Sequence, residues 1–273
     1  MFIVIVVLII TILVIGLLFV AYTVRGSLEL QNQIIWPASN NFKHTHRLSN
    51  VQGYIYNPAT KITNLHIVYF HGNIEQVSAA KNRTTSLTEY AHLYLIEYPG
   101  YSNVCSLGKL EPETFLPCMS SVVREIFSKI HQEPNQKIIL YGRSIGTGVI
   151  GEILVKDKYI AKLASTIILE TPFTSIRDIF IEVVGPAVTN LLGDKMHWTL
   201  DNVKNFSSFM GKDSECKILI IAGEKDTLTP VTQAKKLTSS LGDSATLVIK
   251  ENQIHNMSFS LILGDVIKFL NYE

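Results

Sequence analysis

The chain of 273 residues carries 24 Lys and Arg against 23 Asp and Glu, a formal charge of +1 that gives nucleic acid no electrostatic footing. Hydrophobic residues make up 47% and charged residues 17%, with the apolar excess concentrated before Arg25, which excludes intrinsic disorder and a polytopic membrane protein. Beyond residue 24 the composition is that of an ordinary soluble domain, in a length that one α/β domain commonly fills.

Residues 2–24, FIVIVVLIITILVIGLLFVAYTV, contain no Asp, Glu, Lys, Arg or His. As a helix rising 1.5 Å per residue they would reach about 34 Å, enough to cross a hydrocarbon core of about 30 Å. The stretch lacks the basic start, short apolar core and small-residue cleavage site of a signal peptide, and it is apolar on every face, unlike a core helix. It reads as an uncleaved single-pass anchor. Arg25 and Lys43 follow it, so the positive-inside bias weakly favours a cytosolic catalytic domain. The sequons at Asn82, Asn205 and Asn256 are about as many as chance provides at this Asn, Ser and Thr content, and carry no information about topology. Cys105, Cys118 and Cys216 are odd in number, lack metal-type spacing and do not read as a disulfide framework.

A linker over 25–44 leads into the domain, expected over 45–273, with edge strands around 46–56. Short apolar runs rich in β-branched and aromatic residues then recur at Leu65 to Phe70, His92 to Tyr98, Lys137 to Tyr141, Ser165 to Leu169, Lys217 to Ala222 and Thr246 to Lys250. Stretches that suit helices separate them: Ile74 to Tyr90, Glu111 to His131, Ile145 to Lys158, Pro230 to Leu241 and Ser258 to Leu270. Strand alternating with helix predicts an α/β fold, a mainly parallel sheet covered on both faces. The interval 171–214 breaks this rhythm and carries Phe173, Phe180, Met196 and Trp198, which marks it as a lid or cap insertion.

The most informative string is IILYGRSIGTG at 138–148, where a strand runs through Gly142, Arg143, Ser144, Ile145 and Gly146 into a helix. This is the GxSxG elbow in its required context, a sharp turn that exposes the serine hydroxyl. A hydroxyl is a poor nucleophile at neutral pH, so such a site needs a base and a carboxylate to orient it, in the chain order Ser, Asp or Glu, His. Asp226, in ILIIAGEKDTLTP, and His255, in LVIKENQIHN, each follow an apolar strand by a few residues and satisfy that order. Read singly, Asp226 could be a turn residue before Pro230 and His255 a solvated loop histidine; the ordered trio favours the catalytic reading. In YFHGN at 69–73 a strand ends where backbone amides can face the nucleophile, which assigns the oxyanion hole to the amides of Asn73 and Ile145. His71 precedes the serine and reads as a residue that orders this loop. His44 and His46 would share a strand face but lack grouped ligands for a metal. Trp198 and its neighbours suit either an acyl-chain channel or packing of the lid.

These strings, together with EYPGYS at 97–102, ETPFTSI at 170–176 and IHN at 254–256, resemble the serine hydrolases of the α/β-hydrolase superfamily over about residues 45–272. Within it the chain is most similar to the membrane-associated α/β-hydrolase domain-containing proteins twelve, thirteen and seventeen and their yeast and plant relatives. It departs from them at Ile254, where relatives often have glycine, and at Ser102. The resemblance implies Ser144 as nucleophile, Asp226 as acid, His255 as base, and acyl-lipid or S-acylated protein substrates. The expectation is a membrane-anchored serine hydrolase of esters or thioesters, acting without metal or organic cofactor and without nucleic acid as a partner. A peptidase on the same scaffold and a non-catalytic interaction module are the alternatives.

Overall fold

The computed structural model describes residues 16, 27, 31, 35, 36, 53–73, 75–99, 111–192, 196–211 and 215–271. The expected anchor, apart from Gly16, the His44/His46 pair and Cys105 lie outside these residues. Among the described residues no helix is long and apolar enough to cross a membrane.

Among the described residues seven strands form one sheet: β1 (Tyr54–Asn57), β2 (Leu65–Phe70), β3 (His92–Ile96), β4 (Lys137–Arg143), β5 (Ala164–Glu170), β6 (Lys217–Gly223) and β7 (Ala245–Lys250). Their order is β1-β3-β2-β4-β5-β6-β7; β1 pairs antiparallel with β3 and every other pairing is parallel. The runs of β-branched and aromatic residues predicted as strands from residue 65 onward are all present; β2 to β6 are buried on both faces and so read as continuous apolar runs, while β7, at the end of the strand order, is only partly buried. The chain passes from β2 outward to β3 and returns to the other side of β2 as β4, so a crevice opens beyond the carboxyl ends of β2 and β4.

Alternate residues feed two cores. Val68, Phe70, Ile138 and Leu140 face α2 (Pro112–Ile130), α3 (Ile145–Lys156) and α8 (Val231–Leu241). Ile67, Tyr69, Ile139 and Tyr141 face α1 (Val77–Thr84) and α9 (Leu263–Asn271). Two helices end earlier than the pattern suggests. The helix expected to Tyr90 gives way to a 3-10 turn over Thr85–Glu89. The one expected over Ile145 to Lys158 stops at Asp157, whose carboxylate accepts from the amides of Tyr159 and Ile160 and so starts a short helix, α4 (Lys158–Leu163), that the sequence pattern does not reveal. In the interval read as a lid, the described residues form α5 (Ile176–Val184), α6 (Pro186–Leu192) and α7 (Asn202–Phe209).

Cys118, on α2, is disulfide-bonded, which corrects the expectation from the odd cysteine count: one pair and one single thiol satisfy it equally. Its partner is outside the described residues, and Cys216 is a buried thiol whose Sγ lies 3.8 Å from the Lys217 carbonyl.

At the opposite end of the sheet from the crevice, His66 and His92 stack with ring centroids 4.8 Å apart. The Nε2 of His66 meets Gln136 Oε1 at 2.7 Å, and the Tyr56 hydroxyl meets His92 Nδ1 at 2.8 Å. Burial holds both imidazoles below their usual range; the neighbouring His92 and His131 push His66 further down, against Gln136 and Glu133. Both are therefore harder to protonate folded than unfolded. Their contribution to stability is complete above the ordinary imidazole value of about 6.5 and is lost as pH falls through the lowered folded values. The thermal midpoint is expected to drop between pH 7.5 and 5, and to drop less in His92→Gln; equal slopes in a differential scanning fluorimetry series would contradict this.

Candidate active site

β4 delivers its last residues into the crevice, and Ser144 follows with φ 51° and ψ −118°, a conformation rarely adopted by a residue with a side chain. Hydrogen bonds hold it there: the Ser144 amide donates to the Glu170 carbonyl at 2.9 Å, and the Ser144 carbonyl accepts from the Thr147 amide and hydroxyl. The glycines of the elbow are sterically required. A Cβ on Gly146 would lie 2.2 Å from the carbonyl oxygen of Phe70 at the end of β2, and one on Gly142 would lie 2.8 Å from the Thr147 nitrogen. The first turn of α3 thus rests directly against β2, so the α3 amino terminus and the turn after β2 share one side of the crevice.

Asp226 follows β6 and His255 follows β7, and both loops bend over the same edge. His255 Nε2 is 3.0 Å from Ser144 Oγ, and His255 Nδ1 is 2.8 Å from Asp226 Oδ2. Asp226 is buried, and its carboxylate accepts from the amides of Leu228 and Thr229 and from the Thr229 hydroxyl. Burial pushes this carboxyl up, but the hydrogen bond and charge of His255 and the Thr229 donors outweigh it and hold the group below the usual carboxylate range. It is ionised at neutral pH.

The structure therefore brings Ser144, His255 and Asp226 into one hydrogen-bonded chain. Asn73 and Ile145 line the same cavity as Ser144. His71 is fully buried; its Nδ1 donates to the Gly72 carbonyl at 2.8 Å while its own carbonyl accepts from the Tyr98 hydroxyl, so it orders the turn after β2.

The cavity is about 190 Å³ and runs from Ser144 along Phe173, Ile176, Ile179, Phe180 and Leu228. Its apolar wall is α5, which presents Ile176, Ile179, Phe180 and Val183 at helical spacing and starts at a Ser175 cap whose side chain accepts from the Asp178 amide. Trp198 takes no part in this wall. It is buried in a ring cluster with Trp36 and Phe115, at centroid distances of 5.2 and 5.4 Å. Ile35 is an unexpected member of the wall, contributed by the segment read as a linker. Trp36 anchors that segment in the ring cluster, and Gln31, also buried, accepts from the His197 amide at 2.8 Å. The described residues contain no cluster of three or more His, Cys, Asp or Glu that could hold a metal.

Residues 185–261, which include Asp226 and His255, match a family model of the α/β-hydrolases described as TAP-like protein. Two proteins of Acanthamoeba polyphaga mimivirus are similar in sequence: an uncharacterized protein, 22% identical over 191 residues, and one assigned as an alpha/beta hydrolase, 27% identical over 187 residues. These alignments cover 67% and 66% of this chain, and the chain spans 64% and 62% of the length of those relatives. Among solved structures, MenH from S. aureus superposes with a TM-score of 0.58 at 16% identity, covering 79% of this chain and 98% of that one. A soluble variant of monoglyceride lipase from Saccharomyces cerevisiae, in complex with a substrate analog, gives 0.60 at 12% identity, covering 80% and 90%. Naproxen esterase from Bacillus subtilis gives 0.54 at 12% identity, also covering 80% and 90%. At these identities the structural likeness establishes the fold, which is that of the α/β-hydrolases.

The contact between Gly146 and β2 generates a direct test. Gly146→Ala is expected to push the α3 amino terminus off β2 by a fraction of an ångström or more, and a misplacement of about 1 Å costs on the order of 100-fold in rate. Esterase turnover measured beside the circular dichroism spectrum should show a large loss of activity in a folded protein.

Proposed function

With an α/β-hydrolase fold and lipase and esterase neighbours as the premise, we propose that this chain is a membrane-anchored serine hydrolase that cleaves carboxylic ester or thioester bonds of acyl lipids or S-acylated proteins. The observation that carries the reading is the chain of contacts from Ser144 Oγ through His255 to Asp226 at the mouth of an apolar slot.

His255 Nε2 accepts the hydroxyl proton as Ser144 Oγ attacks the acyl carbonyl, and Asp226 orients the imidazole through Nδ1 and stabilises its charged form. The developing oxyanion is placed beside the backbone amides of Asn73 and Ile145, where preorganised donors are each worth roughly 10² to 10³ in turnover. His255 then returns the proton to the leaving alcohol or thiol, and a water molecule, activated by the same base, releases the acyl group from Ser144.

The slot supports acyl rather than peptide substrates, because its lining beside the serine is aliphatic and aromatic and offers little to pair with peptide groups. The motif resemblance to the membrane-associated hydrolases twelve, thirteen and seventeen points to the same substrates. Residues 2–24 supply the anchor in this reading. Ten residues lie between Val24 and Ile35 in the slot wall, so Ile35 lies within about 40 Å of the anchor even along a fully extended chain. The disulfide at Cys118 supports an oxidising compartment for the domain, opposite to the charge bias around the anchor.

Fluorophosphonate labelling tests the nucleophile: wild type should label at Ser144, mapped by mass spectrometry, and Ser144→Ala should not. A folded wild type that stays unlabelled removes the reading. The acyl slot has its own test in a p-nitrophenyl ester series. Each methylene that enters the slot should add about 0.8 kcal/mol, close to fourfold in kcat/KM, until the slot is full. Ile179→Trp should move the best substrate to a shorter chain; a flat series in both proteins would sink the slot assignment.

A further inference from the structure

The residue immediately before the nucleophile, Arg143, has no part in the chemistry above, yet it is buried at the centre of the site, with its side chain 10% exposed. Its guanidinium is divided among three partners. Nη2 donates to Asn256 Oδ1 at 2.6 Å, Nη1 donates to Glu75 Oε2 at 3.0 Å, and Nε lies 3.5 Å from Glu170 Oε1.

Each partner belongs to a different part of the catalytic apparatus. Asn256 follows His255 directly, so its side chain is the nearest handle on the loop that carries the base. Glu75 Oε2 also accepts the Gly72 amide at 2.8 Å, which fixes the turn that presents Asn73. Glu170 receives the Ser144 amide on its carbonyl and thereby holds the elbow. A second arginine completes the set. Arg83 pairs with the Glu170 carboxylate through both Nη atoms, reaches the Met257 carbonyl at 3.4 Å, and lies 5.0 Å from the centre of the Phe259 ring. The loop from His255 to Phe259 is therefore gripped at its side chain, its backbone and its following ring.

We propose that Arg143 is a positioning residue for hydrolysis at Ser144: through Asn256 it sets the His255 imidazole over the serine, and through Glu75 it sets the oxyanion turn. The inference rests on the serine-hydrolase reading. Stabilisation alone would require only that the two carboxylates meet the two guanidinium groups. The contact to Asn256 goes beyond that, since it spends a charged donor on a neutral side chain whose only evident distinction is its place beside the base. A planar fork can hold Asn256 and Glu75 at once, and a lysine ammonium on one flexible stem lacks that geometry.

The test uses the full chain in detergent micelles, with the active fraction counted by fluorophosphonate labelling, kcat and KM taken from a p-nitrophenyl ester, and folding followed by thermal melting. Asn256→Ala should lower kcat by roughly 10- to 100-fold with KM within about threefold and the melt unchanged. Asn256→Asp retains the acceptor and should keep kcat within a few-fold of wild type. Arg143→Lys should match Asn256→Ala, and the double variant should be no slower than the slower single, because both remove the same contact. An Asn256→Ala enzyme with wild-type kcat, an Asn256→Asp enzyme as slow as Asn256→Ala, or additive losses in the double variant would each overturn the proposal. These outcomes are separate from failure of the hydrolase reading, in which Ser144→Ala would hydrolyse the ester as fast as wild type.

Discussion

The close approach of α3 to β2 is the constraint on which the site depends. A helix cannot ordinarily begin against the carbonyl end of a neighbouring strand, because the Cβ of its first-turn residues would occupy the same space. Gly146 removes that atom, and the helix start drops onto the Phe70 carbonyl. The cost is borne two residues earlier, where Ser144 is held at positive φ by the hydrogen bonds of its amide and carbonyl. Strain of this kind costs of the order of 1–3 kcal/mol and persists only where the surroundings over-determine it. Here the surroundings are the sheet itself, since the Ser144 amide is bonded to the end of β5.

The buried charges under the site follow from the same crowding. Four ionisable groups, Arg83, Arg143, Glu75 and Glu170, lie between the sheet and the two loops they bond, the turn after β2 and the loop that bears His255, with Glu170 wholly buried. Burial by itself would push the Arg83 guanidinium down, but Glu170 and the nearby tyrosines more than reverse this and keep it firmly charged. Tyr141, buried and donating to Glu170, is driven well above its ordinary range by burial and by that carboxylate, so it serves as a neutral donor. Removing one member of such a set leaves an uncompensated charge, at roughly 3–5 kcal/mol for a buried pair. An apolar filling would be simpler as a core. It could not bond Gly72, Asn256 and the Met257 carbonyl from one compact cluster.

The sequence displays some of this plainly and conceals the rest, for identifiable reasons. Strand positions are legible because a parallel sheet buried on both faces demands uninterrupted apolar runs, and the elbow is legible because the sterics at positions 142 and 146 admit only glycine. Ser144, Asp226 and His255 are legible through chain order and placement after strands. The slot wall is half legible: Ile176, Ile179, Phe180 and Val183 carry a helical period that any reading of the lid could have singled out in place of Trp198. Ile35 is not legible at all, because its role depends on where a segment 109 residues before Ser144 folds back. Likewise, Glu170, Arg83 and Glu75 give no local signal, since long-range ion pairs leave no period in a sequence. The disulfide at Cys118 is hidden for the same reason.

That folding back ties the chain's two halves into one device. Trp36 has no surface role: it is fully buried among Tyr98, Phe115 and Trp198, and aromatic clusters of this kind contribute beyond their buried area. The ring cluster clamps the chain just after Ile35, and Ile35 is a wall of the cavity that opens on Ser144. A segment that served only as a linker would need only length and polarity. Ile35 and Trp36 instead give up conformational freedom, about 1–2 kcal/mol of backbone entropy for each residue fixed, to become part of the cavity wall and the ring cluster behind it.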